Sequence, residues 1–173
     1  MPDIYYNYSD TALGIMLLAA SERGVCFIHF ADKKEELFEN LHKQYPDKHI
    51  YAASKETLEK LSKWSQQIID YLDGKNKNID LPLEIIGTEF QEKVWNYLIK
   101  IPVGKLESYT ELANNIGMPK ANRAVAIACS ANNIAIVIPC HRIIKKNGNF
   151  SGYKWGKMRK NKLIELEKDF ILR

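Results

Sequence analysis

Ser108-Tyr109-Thr110-Glu111-Leu112-Ala113-Asn114-Asn115-Ile116-Gly117-Met118-Pro119-Lys120 decides how the C-terminal half of the chain is read. Ser108 stands three residues before Glu111, the spacing of a capping box, and predicts a short helix running to Ile116. Gly117-Met118-Pro119 breaks that helix. Pro119 suits the first turn of the next one, expected over about Lys120 to Ala131. Two short helices joined by a Gly-containing turn predict a helix-turn-helix. The Ala-rich face of the second helix (Ala121, Ala124, Val125, Ala128) suits close packing on neighbouring helices or close approach to a groove. Just upstream, Thr88-Glu89-Phe90-Gln91 is another capping box. Phe90, Val94, Trp95 and Leu98 make one helical face that ends before the turn Ile101-Pro102-Val103-Gly104.

The N-terminal half reads differently. Ile4 to Tyr8, Gly14 to Ala20 and Val25 to Phe30 are short apolar or aromatic runs, and Ser21-Glu22-Arg23-Gly24 reads as a hairpin turn. Amphipathic helices follow over Lys33 to Gln44 and Ser54 to Leu72, with Ser54 as N-cap. Ile79 to Ile86, interrupted by Pro82, is an edge strand or a linker. The expected architecture is an α/β domain over residues 1–87, with helices on a small antiparallel sheet. A mostly α domain with the helix-turn-helix follows over 88–173.

Of the 173 residues, 46% are hydrophobic and 27% charged, so a real core is available. No apolar run approaches the roughly 20 residues of a membrane-spanning helix. The first residues lack the basic and apolar regions of a secretion signal. The net charge of +4 is unevenly spread: residues 1–87 carry 10 Lys and Arg against 14 Asp and Glu, and residues 88–173 carry 15 against 7. A basic half of net +8 points to a polyanionic partner, for which nucleic acid is the usual choice. Three cysteines (Cys26, Cys129, Cys140) without CxxC spacing argue against a disulfide framework or a cysteine zinc site, and predict a cytoplasmic protein.

Ile134 to Ile138 is a continuous apolar run, expected as a buried strand-like stretch. It leads into Pro139-Cys140-His141-Arg142, and Lys145-Lys146-Asn147-Gly148 then makes a tight turn. A thiol needs a base or nearby positive charge to react near neutrality, and His141 is adjacent in sequence. Neighbours in an extended segment point to opposite sides, so a bridging water is the expected proton route. Cys26 and Cys129 read as core.

Pro139-Cys140-His141-Arg142 resembles the active-site signature of the O6-alkylguanine-DNA alkyltransferases. The likeness covers Phe90 to Glu167 closely and the N-terminal half more loosely. It includes Phe90-Gln91, Val94-Trp95, Ile101-Pro102, Gly104, Ser108-Tyr109, Arg123-Ala124-Val125, Asn132, Gly152-Tyr153 and Gly156. Ala131 to Ile144 and Gly152-Tyr153-Lys154-Trp155-Gly156 look closest to the C-terminal half of the bacterial Ada proteins.

The resemblance implies stoichiometric repair of DNA. Cys140 would accept the alkyl group from O6-alkylguanine, and O4-methylthymine would be a second substrate. His141 would deprotonate Cys140 through a water, and Glu167 would orient His141. Asn132 would brace the turn beside Cys140. Tyr109 would help rotate the nucleotide out, Arg123 would fill the vacated stack, and Tyr153 with the Lys154 backbone would close on the flipped base. Arg142 reads as structural. Alkyl groups on guanine O6 lie in a groove of stacked DNA, out of reach of a buried sulfur, so the base must be flipped out. The expected partner is double-stranded DNA carrying the lesion, bound by a monomer without cofactor. Some family members hold zinc in the N-terminal half. Ser21, Cys26 and His29 do not make a full ligand set, so no metal is expected. Trp155 and Ala135 stand where some members have Gly and Pro, which predicts a pocket that accepts methyl and excludes benzyl. Two rival readings remain at this level: a non-reacting binder of alkylated DNA, and a Cys-His-Glu hydrolase of another fold.

Overall fold

The computed structural model describes residues 3–148 and 152–173. The chain forms two compact units, Met1–Ile85 and Ile86–Arg173.

The first unit opens with β1 (Ile4–Thr11), β2 (Gly14–Ser21) and β3 (Gly24–Ala31), followed by α1 (Lys34–Gln44), β4 (Ile50–Ala52) and α2 (Glu56–Leu72). The sheet order is β3-β2-β1-β4. The first three strands pair antiparallel, but β4 runs parallel to β1, with Ile4 opposite Ile50 and Tyr6 opposite Ala52. The sheet is therefore mixed, not antiparallel as the sequence suggested. β4 escaped the reading because it spans three residues, two of them exposed, and shows no apolar run.

Met16 to Ala20 are all buried, so both faces of β2 are covered. On one face Leu17, Ala19 and Cys26 pack with Leu37 and Leu41 of α1. The predicted turn at Ser21–Gly24 is present, and Gly24 has φ +142°. A Cβ there would lie 2.7 Å from the Pro82 carbonyl oxygen. The segment around Pro82 accepts a bond from the Val25 amide (2.8 Å) and donates one to the Val25 carbonyl from Glu84 (2.9 Å). It thus lies along β3 with a single bridge at Leu83. Ser54 does not cap α2 with its side chain. The N-cap is Lys55 at φ +50°, and the Ser54 carbonyl instead takes bonds from the Thr57 amide and hydroxyl.

The second unit comprises α3 (Glu89–Ile99), β5 (Glu107–Ser108), α4 (Tyr109–Asn115), α5 (Asn122–Ser130), a 3-10 turn (Cys140–Arg142), β6 (Ile143–Ile144) and α6 (Lys157–Leu172). Both predicted capping boxes are formed: Thr88 with Gln91 and Ser108 with Glu111. α5 begins at Asn122, later than expected. Val125, Ala128 and Cys129 face the core, and the Trp95 indole N–H donates to the Ala128 carbonyl at 2.9 Å. β5 and β6 pair in parallel, Glu107 opposite Ile143. Among the described residues no helix is long and apolar enough to cross a membrane.

Candidate active site

Asn132 shapes the segment that carries Cys140. Its side chain accepts from the Ile134 amide (2.8 Å) and donates to the Ile138 carbonyl (2.9 Å). The apolar run between them therefore closes as a buried turn, with Ile136 at φ +72°, rather than the strand-like stretch expected. Apolar composition reported its burial correctly, but the two bonds of Asn132 set its path. The turn delivers Pro139 and then the 3-10 turn at Cys140. The extended geometry anticipated for Cys140 and His141 is absent for the same reason.

Asn132 Nδ2 also lies 3.4 Å from Cys140 Sγ, as a donor to the sulfur. Cys140 is 5% exposed. Burial pushes its thiol pKa up, opposed by the Asn132 bond and by the charges of Lys160 and Lys154. A donor and two cations are what a forming thiolate requires in a dry site.

His141 is fully buried, and its Nε2 is 2.8 Å from Glu167 Oε2. Glu167 is gripped by Arg142 through two parallel bonds, Nε to Oε1 and Nη2 to Oε2, both 2.8 Å. Arg142 Nη1 donates to the Ile101 carbonyl, and the Gly104 amide donates to Glu167 Oε1 at 3.4 Å. Burial opposes ionisation of Glu167, yet the hydrogen bonds of His141 and Arg142 and the positive charge of Arg142 hold its carboxyl well below the usual range. Burial likewise lowers the His141 pKa. The favoured state is a neutral imidazole beside a carboxylate, so Nε2 carries the proton and Nδ1 carries the lone pair. Nδ1 is buried and has no hydrogen-bond partner among the described residues. No hydrogen bond joins Cys140 to His141, which leaves Nδ1 available to a bridging water.

Lys160 is the residue the sequence reading missed. It is fully buried, donates to the Ile143 carbonyl at 2.6 Å, and contributes positive charge toward Cys140 and Cys129. A signal was present. Lys160, Leu163, Ile164, Glu167 and Phe170 share one helical face, so two charged residues sit on the buried stripe of α6.

Tyr109, Arg123, Tyr153 and Lys154 line one cleft of about 610 Å³, together with Ala126 and Ile127. α5 thus turns Arg123, Ala126, Ile127 and Ser130 to the cleft while its opposite face packs. Burial pushes the Tyr109 hydroxyl up to about 12, with Cys129 and Cys140 adding to the effect, so it remains a donor at neutral pH. Lys154 Nζ donates to the Asn132 carbonyl (3.2 Å) and to Asn133 Oδ1 (2.9 Å), tying the cleft wall to the Cys140 turn. Cys140 is not itself on the wall. Trp155 is buried, edge-on to Tyr153 at 5.2 Å, and does not line the cleft. Among the described residues no group of three or more His, Cys, Asp or Glu could hold a metal ion.

Comparison with known proteins finds two family models matching in tandem. The 6-O-methylguanine DNA methyltransferase ribonuclease-like domain covers residues 4–85, and the DNA-binding domain of the same family covers 89–169. The chain is 42% identical over 165 residues to the Escherichia coli bifunctional transcriptional activator/DNA repair enzyme Ada, covering 95% of this chain and 45% of that protein. It is 42% identical over 168 residues to the inducible methylated-DNA–protein-cysteine methyltransferase of Bacillus subtilis, covering 96% of this chain and 92% of that protein. The chain thus spans about half the length of the Ada proteins it matches and nearly all of the Bacillus one. Among solved structures, Mycobacterium tuberculosis OGT in complex with DNA matches with a TM-score of 0.80 at 33% identity, over 95% of this chain and 93% of that one.

Proposed function

The chain belongs to the 6-O-methylguanine DNA methyltransferase family, and from that premise we propose that it repairs O6-alkylguanine in duplex DNA by moving the alkyl group onto Cys140. The observation that carries the assignment is the buried array in which Asn132 donates to Cys140 Sγ and Arg142-held Glu167 fixes the His141 ring.

The chemistry follows from that array. The Cys140 proton passes through a water to His141 Nδ1, and the imidazolium that forms is stabilised by Glu167 at 2.8 Å. The thiolate attacks the alkyl carbon. A C–S bond forms, the C–O6 bond breaks, and its electron pair remains on the guanine. The Tyr109 hydroxyl donates a hydrogen bond to the ring as that charge develops, and the proton taken from Cys140 returns from the imidazolium through water to leave the guanine neutral. The product thioether has no route back to thiol, so each molecule acts once.

α4 and α5, with Gly117 and Pro119 between them, serve as the helix-turn-helix that presents Arg123 to DNA. The target base swings into the cleft beneath Tyr153, and Arg123 fills the space it leaves, which offsets part of the unstacking cost of a few kcal/mol. Residues 88–173 thereby supply DNA binding and chemistry, and 1–87 form the accompanying α/β domain. O4-methylthymine offers the same leaving-group chemistry. A monomer suffices, because every group in the scheme comes from one chain. Three unpaired thiols suit the reducing cytoplasm.

Incubation with a methylated duplex and mass spectrometry of the peptides tests the reading. Wild type should gain the mass of one CH2 group on Cys140, once per molecule. Cys140→Ser should gain none while still binding DNA. An adduct on Cys26 or Cys129, or repeated turnover without adduct, would sink the assignment.

A further inference from the structure

Away from the cleft, one hydroxyl holds both ends of α4. The Tyr97 hydroxyl donates to the Glu107 carboxylate, 2.9 Å from each oxygen, and accepts from Asn115 Nδ2 at 2.7 Å. Glu107 is the residue before Ser108, the N-cap of α4, and Asn115 is the last residue of α4. Tyr97 belongs to the last turn of α3. Glu107 is only 4% exposed, and Lys105 Nζ approaches its Oε1 at 3.3 Å.

A carboxylate buried in this way adds little net stability over an apolar side chain, but it selects one arrangement of its neighbours. Two features make that arrangement matter here. Tyr109 is the first residue of α4, so the orientation of the helix start sets where its hydroxyl points. Glu107 also pairs with Ile143, the residue that follows the 3-10 turn of Cys140. The cluster therefore sits where the start of α4 meets the segment carrying the sulfur.

We infer that Tyr97, Glu107 and Asn115 are positioning residues for Tyr109: together they clamp α4 so that its first side chain meets the base entering the cleft. The inference rests on the alkyl-transfer reading of that cleft. None of the three lines it.

Single-turnover methyl transfer from a duplex carrying O6-methylguanine tests the clamp, with rate constant and final yield read separately. Tyr97→Phe removes both bonds at once. Bonds to charged groups are strong enough that the rate constant should fall about tenfold with the yield still complete. Glu107→Gln keeps an acceptor for Tyr97 and should stay within about threefold of wild type. In a Tyr109→Phe background, Tyr97→Phe should cost nothing further, because both changes act through one hydroxyl. An unchanged rate constant, a reduced yield alone, or losses that multiply in the double variant would overturn the inference. If Tyr97→Phe does not fold, Asn115→Ala at an exposed position takes its place, with a smaller slowing expected. If wild type itself transfers no methyl group, the alkyl-transfer reading fails first. The clamp is then judged by amide exchange in α4, which Tyr97→Phe should speed, and unchanged exchange overturns it.

Discussion

His141 has no access to solvent, and burial keeps it neutral in the folded protein. Unfolding exposes it to water, where it takes up a proton near pH 6.5. The unfolded chain then binds more protons, so stability present above that pH is lost as pH falls through it. Glu167 acts in the same direction at lower pH, since its carboxyl stays ionised in the fold but protonates near pH 4.3 when unfolded. The urea midpoint of wild type should fall between pH 7.5 and 5, then fall further below about pH 4.5. His141→Gln should flatten the upper part of that profile and soften the lower part, since His141 is one of the two groups that hold the Glu167 carboxyl down. Identical profiles for the two proteins would show that His141 is not held neutral. The same neutrality gives His141 its proposed role, because only a neutral imidazole can accept the Cys140 proton.

The turn after α3 shows why a short motif can be demanding at the scale of an element. Ile101-Pro102-Val103-Gly104 points a carbonyl at Arg142 and an amide at Glu167. Gly104 reaches this with φ +85°, and a Cβ there would lie 2.8 Å from Ile171 Cγ2 of α6. Gly104→Ala should therefore cost about 1–2 kcal/mol from backbone strain, with the Ile171 contact adding to it. Thermal unfolding measures the loss, and methyl transfer should slow as Glu167 loses a donor. A melting temperature equal to wild type would mean the turn relaxes freely. α6 carries the matching half of this design. Its buried stripe holds Lys160 and Glu167 among Leu163, Ile164 and Phe170, and each charge is matched by a specific partner. Buried charges of this kind persist only when paired.

Across the molecule, charge is segregated: residues 88–173 hold the net positive charge and residues 1–87 the net negative. The logarithm of the DNA association constant should fall linearly with the logarithm of salt concentration, as released counterions require. Arg123→Ala should reduce that slope by about one if Arg123 meets a phosphate, and leave it unchanged if its role is stacking alone. Fluorescence anisotropy across a salt series decides between them. An affinity indifferent to salt would contradict the use of the basic half for DNA.

Local chemistry determined much of this protein. The capping residues at Thr88 and Ser108, the hairpin at Ser21–Gly24 and the apolar period of the helices act over a few residues, so they are legible in the chain. The resemblance of Pro139-Cys140-His141-Arg142 and its spaced companions led to the family by the same route. Other features were decided only in the folded chain. The pairing of β4 with β1 makes the sheet mixed, and three residues carry too little pattern to foretell it. Asn132 converts an apolar run into a turn because its amide bonds two backbone groups at once. Lys160 looks like a surface cation until the Ile143 carbonyl and the sulfur of Cys140 are brought beside it. The β4 pairing and the Lys160 bond join residues distant in sequence and exist only once the chain has folded, whereas Asn132 acts within six residues through side-chain bonds that an apolar pattern does not report.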